Sequence, residues 1–334
     1  MRVLITGGAG FIGSRVASKF ATLAEDVVVL DNFVTGQRSN LPNDFDVREC
    51  DVRDQAGVEQ VFRQFRPTLV CHLAAQVSTR LSFQCPQEDV STNVLGTLNV
   101  IEAASQFDVR QVITASSMVL YGNAARQPVS EEDPCEPVSV YGITKYAAER
   151  SARALLADPN GPALTCLRLF LTYGPGQSLS NPYQGVIAIF LSRVLRGQPI
   201  VIFGDGEQTR DVVYIDDVVD AWVRAAQTGM PGTFNVGTGH SHSINKIVDE
   251  VLASLGKSRA DFPVNYEPSS PGDQRRIEAN TKRIRECLGW EARVHLASGI
   301  RSTAQWAQAE WVRELQLTGI NGPYSPNSAT ASAV

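Results

Sequence analysis

The chain of 334 residues carries 43% hydrophobic and 19% charged residues and a formal net charge of −5, a balance that suits a soluble folded protein and excludes a disordered or fibrous one. The acidic balance gives no reason to expect nucleic acid as a partner. No apolar run reaches the roughly 18 residues that a membrane span needs, so no membrane association is expected and the expected location is cytoplasmic. The six cysteines are dispersed, with no Cys-x-x-Cys pair and no histidine in zinc spacing, which points to small buried hydrophobes rather than to a metal or a disulfide.

Residues 3–6 (Val-Leu-Ile-Thr) read as a strand buried on both faces, and Gly7, Gly10 and Gly13 follow where that strand must turn into a helix. In a phosphate cradle Gly7 makes the tight turn and Gly10 lets backbone approach a pyrophosphate. Gly13 brings helix and strand together, and Phe11 and Ile12 open the helix whose N-terminus faces the charge. A plain packing device fits the same loop. Residues 26–31 (Asp-Val-Val-Val-Leu-Asp) predict a second buried strand ending on Asp31, about 20 residues past the glycines, where a carboxylate accepts from the ribose 2′-hydroxyl and favours NAD. Asn32 follows it. An NADP site wants an arginine for the 2′-phosphate, and Arg38 is the nearest candidate.

A third short strand is expected over residues 48–53, setting Asp51 and Val52 at the adenine edge. Residues 69–75 predict a buried strand closing on Leu73, Ala74 and Ala75, small enough for a ligand to lie against or for close packing. Strands alternating with helical spans predict a parallel, doubly wound sheet with its ligands beyond the carboxyl ends of the strands. Residues 93–104 have apolar residues at helical spacing and predict a long buried helix. Residues 111–117 predict a strand whose end, Ser117, either holds a substrate oxygen or simply terminates the strand. Tyr141 and Lys145 are four apart and share one helix face. An ammonium beside a phenol favours phenolate and lowers its pKa from about 10, so with Ser117 the pair makes a proton-transfer device beside a nicotinamide. Gly204-Asp-Gly206 reads as a turn. Arg210 beyond it suits a diphosphate, or a surface ion pair with Asp211 or Asp216.

In this order the motifs resemble the extended short-chain dehydrogenase/reductase superfamily, in its NAD-dependent epimerase/dehydratase branch, over residues 1–290. Later matches are residues 168–176 (Arg-Leu-Phe-Leu-Thr-Tyr-Gly-Pro-Gly), 203–217, 235–239 (Asn-Val-Gly-Thr-Gly) and 288–290 (Leu-Gly-Trp). The resemblance implies a Rossmann-type doubly wound parallel sheet with a second, smaller α/β substrate domain. Residues 1–172 and 212–238 would bind NAD, residues 173–211 and 239–315 a nucleotide sugar, and residues 318–334 would form a disordered tail. It adds Asn93 to the cofactor-binding set, and it implies a homodimer through the helices that follow Asn93 and Tyr141.

The chemistry the resemblance implies begins with Tyr141 taking the proton of a sugar 4-hydroxyl while the C4 hydride passes to NAD, with Ser117 and Lys145 completing the catalytic set. Branches that dehydrate or decarboxylate place carboxylates just after the active-site serine or threonine; here Met118 and Val119 stand there. The expected reaction is therefore 4-epimerisation of a nucleotide sugar, a UDP-hexose, on tightly bound NAD. A 4-ketoreductase or dehydrogenase with exchangeable NAD(P) and a non-catalytic dinucleotide sensor are the alternatives. On the substrate side Arg210 corresponds to the arginine that grips the diphosphate. Leu171 stands where the family has an asparagine and Ser270 where it has a second arginine, with Arg275 and Arg276 close enough to substitute. Ile277 occupies the position that sets room for a 2-acetamido group.

Overall fold

Residues 1–180, 185–269 and 274–318 are described by the structure, a computed structural model. Six strands come first: β1 (Arg2–Thr6), β2 (Asp26–Asp31), β3 (Asp46–Glu49), β4 (Leu69–His72), β5 (Gln111–Ser117) and β6 (Ala163–Leu169). After them come β7 (Leu171–Tyr173), β8 (Ile200–Phe203), β9 (Thr209–Tyr214), β10 (Gly232–Val236), β11 (Ser241–Ser243) and β12 (Val264–Glu267). The helices are α1 (Phe11–Phe20), α2 (Gln55–Phe65), α3 (Thr79–Gln84), α4 (Pro86–Val90), α5 (Gly96–Gln106), α6 (Val140–Leu155), α7 (Val186–Leu195), α8 (Ile215–Thr228), α9 (Ile244–Ser254), α10 (Lys282–Leu288) and α11 (Leu296–Thr318).

Seven strands make one parallel sheet in the order β10-β6-β5-β4-β1-β2-β3. The central strands are continuous apolar runs because both of their faces are covered. Alternate residues serve different layers. Val3 and Ile5 pack in one core with Val16 and Phe20 of α1 and Val218 and Trp222 of α8, whereas Leu4 and Val28 pack in the other with Phe62 of α2 and Val100 and Ile101 of α5. The strand order reverses at β1, which lies between β2 and β4, and the crevice beyond the carboxyl ends at such a switch point is where sheets of this kind hold ligands. Two smaller sheets, β11-β9-β7 and β12-β8, lie outside the main one. β7 pairs with β9 in the register Leu171↔Val212 and Tyr173↔Tyr214.

β2 and β5 have the bounds read from the sequence, and two strands end earlier than expected. β3 stops at Glu49, because Asp51 accepts from the Arg53 amide and Asp54 caps α2 by accepting from Gly57, which turns the chain. β4 stops at His72, so Leu73, Ala74 and Ala75 lie in the loop beyond it. The expected helix over residues 93–104 begins instead in a π-helical turn, Ser91–Leu95, that runs into α5. Thr318 ends α11, and residues 319–334 of the expected tail lie outside the described residues. Among the described residues no helix is long and apolar enough to cross a membrane.

Candidate active site

The loop after β1 is shaped by steric necessity. Gly7 has φ +68°, and a Cβ there would lie 2.6 Å from the Ala74 nitrogen and 2.7 Å from its Cα, so this turn presses on the backbone that follows β4. A Cβ on Gly13 would come closer than 3.0 Å to Gly7 O, Gly8 Cα and Gly7 C. Gly10 differs, since its Cβ would meet only Gly7 O, at 3.2 Å. It is the N-cap of α1 with extended backbone and no side-chain cap, and no acid stands in the first turn. The amides of Phe11, Ile12 and Gly13 thus open a cradle suited to an anion.

Beside it, Asp31 is buried at the end of β2. Its Oδ2 accepts from Ala9 N at 2.8 Å and its Oδ1 from Phe33 N at 2.9 Å, so the carboxylate braces the glycine loop. Asn32 Nδ2 donates to Asp51 at 2.8 Å. Asp51 also accepts from the amide, Nε and Nη2 of Arg53. The Arg53 hydrogen bonds hold its carboxyl down to about 2, and all its acceptor positions are engaged within the protein. The expected adenine-edge acceptor is therefore occupied, and Asp51 shapes the loop instead. The Val52 carbonyl accepts from Asn99 at 2.9 Å. Arg38 donates to the carbonyls of Leu41, Pro42 and Asn43. Its guanidinium straps a turn, and the arginine that a 2′-phosphate would need is committed elsewhere.

Ser117 ends β5 and Tyr141 and Lys145 lie on the first turns of α6, whose N-terminus is capped by Ser139. Ser117 lies close enough to the Tyr141 phenol to favour its ionised form, and Lys145 Nζ donates to Ala115 O at 2.7 Å. All three side chains are buried, at the carboxyl end of β5 and on the first turns of α6. In the chain alone the phenol shifts in the direction opposite to the expected acidification. Burial pushes Tyr141 up to about 12, the Ser117 hydrogen bond opposing and the Asp89 charge reinforcing it. Burial likewise brings Lys145 down to about 8, against the negative charges of Glu149 and Asp89. Both groups are desolvated, and at each the cost of a buried charge is the largest influence.

Asn93 reaches the site only indirectly. It is 1% exposed, and its side chain bonds Gln76 N and O, Thr144 Oγ1 and Asp89 Oδ2. Asn93 thereby ties the loop after β4 to α4 and α6, with both amide hydrogens engaged within the protein. Its neighbours escaped sequence reading. Buried Asp89 accepts from Thr144 and from Gln76. His72, at the end of β4, bridges Thr6 at 2.7 Å and Thr97 at 2.9 Å. Thr97 donates to Asn93 O, so its oxygen accepts from His72 Nε2–H. Burial holds that imidazole neutral, down to about 3.

The substrate side departs most from expectation. Leu171 packs as an apolar residue against the main core. Arg210 Nη1 donates to the carbonyls of Thr209 and Gln274 at 2.8 and 2.7 Å, so neither expected acidic neighbour holds that nitrogen. Arg275 forms a two-pronged pair with Asp205 at 2.7 and 3.0 Å, and its fork is engaged by the turn that precedes β9. Arg276 is exposed, its carbonyl accepting from Gln127. Ile277 is 0% exposed in the core, so it lines no cavity and cannot set the room for a sugar substituent. Ser270 and residues 271–273 lie outside the described residues.

A parallel sheet with a glycine turn after its first strand and a buried serine, tyrosine and lysine beyond β5 defines a dinucleotide-dependent α/β enzyme of Rossmann type. The model of the NAD dependent epimerase/dehydratase family matches residues 3–237, and the chain belongs to that family. The UDP-glucose 4-epimerase of Mycolicibacterium smegmatis is 37% identical over 319 residues, 92% of this chain and 98% of its own. Among solved structures, the UDP-glucose 4-epimerase of Thermotoga maritima with UDP-glucose is similar with a TM-score of 0.89 and 36% identity, over 93% of this chain and 99% of that one. The UDP-glucose 4-epimerase of Thermus thermophilus in complex with NAD gives 0.86 and 36%, over 92% and 99%.

Proposed function

We propose that the protein is a UDP-hexose 4-epimerase that keeps NAD bound through the catalytic cycle. The observation that carries this is the buried Ser117, Tyr141 and Lys145 set followed by Met118 and Val119, two side chains unable to move a proton. The cradle fits the cofactor: Gly7 and Gly13 leave no room for a side chain, and the uncapped amides at Phe11, Ile12 and Gly13 face the open side of Gly10 where a pyrophosphate would lie. Asp31 and Asn32 would flank the ribose, and Asp51, Val52, Leu73, Ala74 and Ala75 would wall the adenosine, with Asn93 holding that wall in place. When bound, NAD supplies a reversible hydride acceptor and the positive charge of its oxidised ring.

Tyr141 Oη takes the proton of the 4-hydroxyl as the C4–H bond breaks, and returns it to the same oxygen once the 4-keto sugar has turned its other face. Ser117 holds that oxygen, and Lys145, anchored on Ala115 O, supplies the ammonium that favours the phenolate. Burial alone keeps the phenol protonated, so the charges assembled around it on loading must bring it into range. Arg210 would meet the diphosphate, with Leu171 an apolar wall and Arg275 and Arg276 at the rim. The division into an NAD-binding part, residues 1–172 and 212–238, and a sugar-binding part, residues 173–211 and 239–315, belongs to this proposal. So does a cytoplasmic location, which the nucleotide substrate and six free cysteines support.

The test is to denature the purified protein and assay released NAD, and to incubate native protein with UDP-glucose or UDP-galactose without added cofactor. Appearance of the 4-epimer is the expected result. Strict dependence on added NADH or NADPH would instead identify a reductase.

A homodimer is proposed on a further observation. Phe83, Val90, Leu95 and Ile143 are 56%, 44%, 51% and 53% exposed on the helical segment from α3 to α5 and on α6, an apolar stripe that a second copy would cover. Leu95→Arg should convert the dimer to a monomer in sedimentation, and an unchanged mass would remove this face from consideration.

A further inference from the structure

We propose that Glu149 is a positioning residue for Tyr141 and Lys145, acting through Ser116 on the strand end that holds them both. The inference rests on the proposed proton-transfer role of that pair. It starts from register: Ser116 of β5 lies opposite Arg168 of β6, so their side chains emerge side by side. Glu149 lies one helical turn beyond Lys145 on α6 and is 3% exposed. Its carboxylate accepts from Ser116 Oγ at 2.6 Å, from Arg168 Nη2 at 2.7 Å and Nε at 3.1 Å, and from Arg153 Nη2 at 2.7 Å. Four hydrogen bonds leave that carboxylate one orientation.

Ser116 stands between the two residues that touch the reacting pair. The Ala115 carbonyl accepts from Lys145, and Ser117, next after Ser116 along the strand, favours the ionised form of Tyr141. Fixing Ser116 therefore fixes both neighbours against α6, and the same helix carries Glu149, Lys145 and Tyr141. A buried ion pair contributes little net stability compared with apolar packing of the same volume, so the consequence of this cluster is geometric and electrostatic. The charged and titratable groups that face Lys145 are Glu149 on α6, Cys166 on β6, Asp89 on α4 and neutral His72 on β4. Among those that raise its proton affinity Glu149 acts most strongly.

Two variants test this. Ser116→Ala leaves the Glu149–Arg168 pair intact and removes only the tether. It should lower kcat for UDP-hexose epimerisation by about tenfold with KM within about twofold, as misplacement of reacting groups does. In the protein as purified, labelled with ¹³C at lysine Cε, Lys145 is one of five lysines. Glu149→Gln should move its titration midpoint down by about one unit, the direction expected when a nearby negative charge is lost. A Ser116→Ala enzyme with wild-type kcat, or with a loss confined to KM, overturns the proposal, as does an unmoved Lys145 midpoint in Glu149→Gln. Should Glu149→Gln not fold, with Arg168 left unpaired, Ser116→Ala decides alone. Absence of epimerisation by the wild type would count against the assigned reaction, while the lysine titration would still report on the link from Glu149 to Lys145.

Discussion

Replacing Tyr141 with phenylalanine should lower kcat for UDP-hexose epimerisation by about a thousandfold, within the range that general acid–base groups contribute. That is about 4 kcal/mol of transition-state free energy. The substitution removes one oxygen and leaves a ring of nearly the same shape in a site that is 9% exposed, so the packing around α6 is kept. It removes a phenol whose ionisation burial already opposes. The net change in folding stability should then be within about 1 kcal/mol. Three readouts separate chemistry from structure: kcat falls, while the melting temperature and the NAD released on denaturation stay at wild-type values. A variant that keeps more than a tenth of the wild-type kcat would sink the assignment of Tyr141 as the proton-transfer group. A dinucleotide sensor would show no loss of function at all.

The parts of this site that were legible in the sequence are those in which one short segment determines the outcome. β2 and β5 could be bounded because a buried run of β-branched residues meets polar residues at its end, and the glycine turn could be read because three small residues fall where a strand gives way to a helix. Spacing also put Tyr141 and Lys145 on one face of α6, and they are there. Spacing carries no information about solvent, however. The direction in which the phenol titrates is set by burial, which depends on everything packed above the pair. The polar atoms of Asn93 and Asp51 are engaged partly by distant partners that local spacing does not show: Asn93 meets Thr144, 51 positions away, and Asp51, besides nearby Arg53, meets Asn32, 19 away. The carboxylate that engages Arg275 is equally hidden, since Asp205 lies 70 positions from it. Of the buried cluster around Glu149, only the spacing of four from Lys145 and from Arg153 is local. Its decisive partners come from β5 and β6.

Gly13→Ala and Gly10→Ala should fail in different ways, and the contrast separates a phosphate cradle from a packing device. At Gly13 the added carbon would fall closer than 3.0 Å to three backbone atoms, Gly7 O, Gly8 Cα and Gly7 C. No rotamer change can relieve backbone. α1 cannot retreat either, because Val16, Ala17 and Phe20 hold it in the core at 0%, 0% and 1% exposure. The loop must therefore distort, at a cost of about 1–3 kcal/mol for an overpacked contact, and the melting temperature should fall by several degrees together with the bound NAD. At Gly10 the carbon meets only Gly7 O at 3.2 Å, and φ −76° is open to any residue. Stability should stay near wild type, within about 0.5 kcal/mol. The methyl group nonetheless stands in front of the amides that open α1. Losing one or two of those charge-assisted contacts costs about 1–3 kcal/mol, so NAD should be held about five- to 150-fold more weakly. Differential scanning fluorimetry and the NAD content of freshly purified protein measure both quantities on the same samples. Undiminished NAD in Gly10→Ala would mean that the turn is a device for packing α1 against β1, with the dinucleotide bound elsewhere.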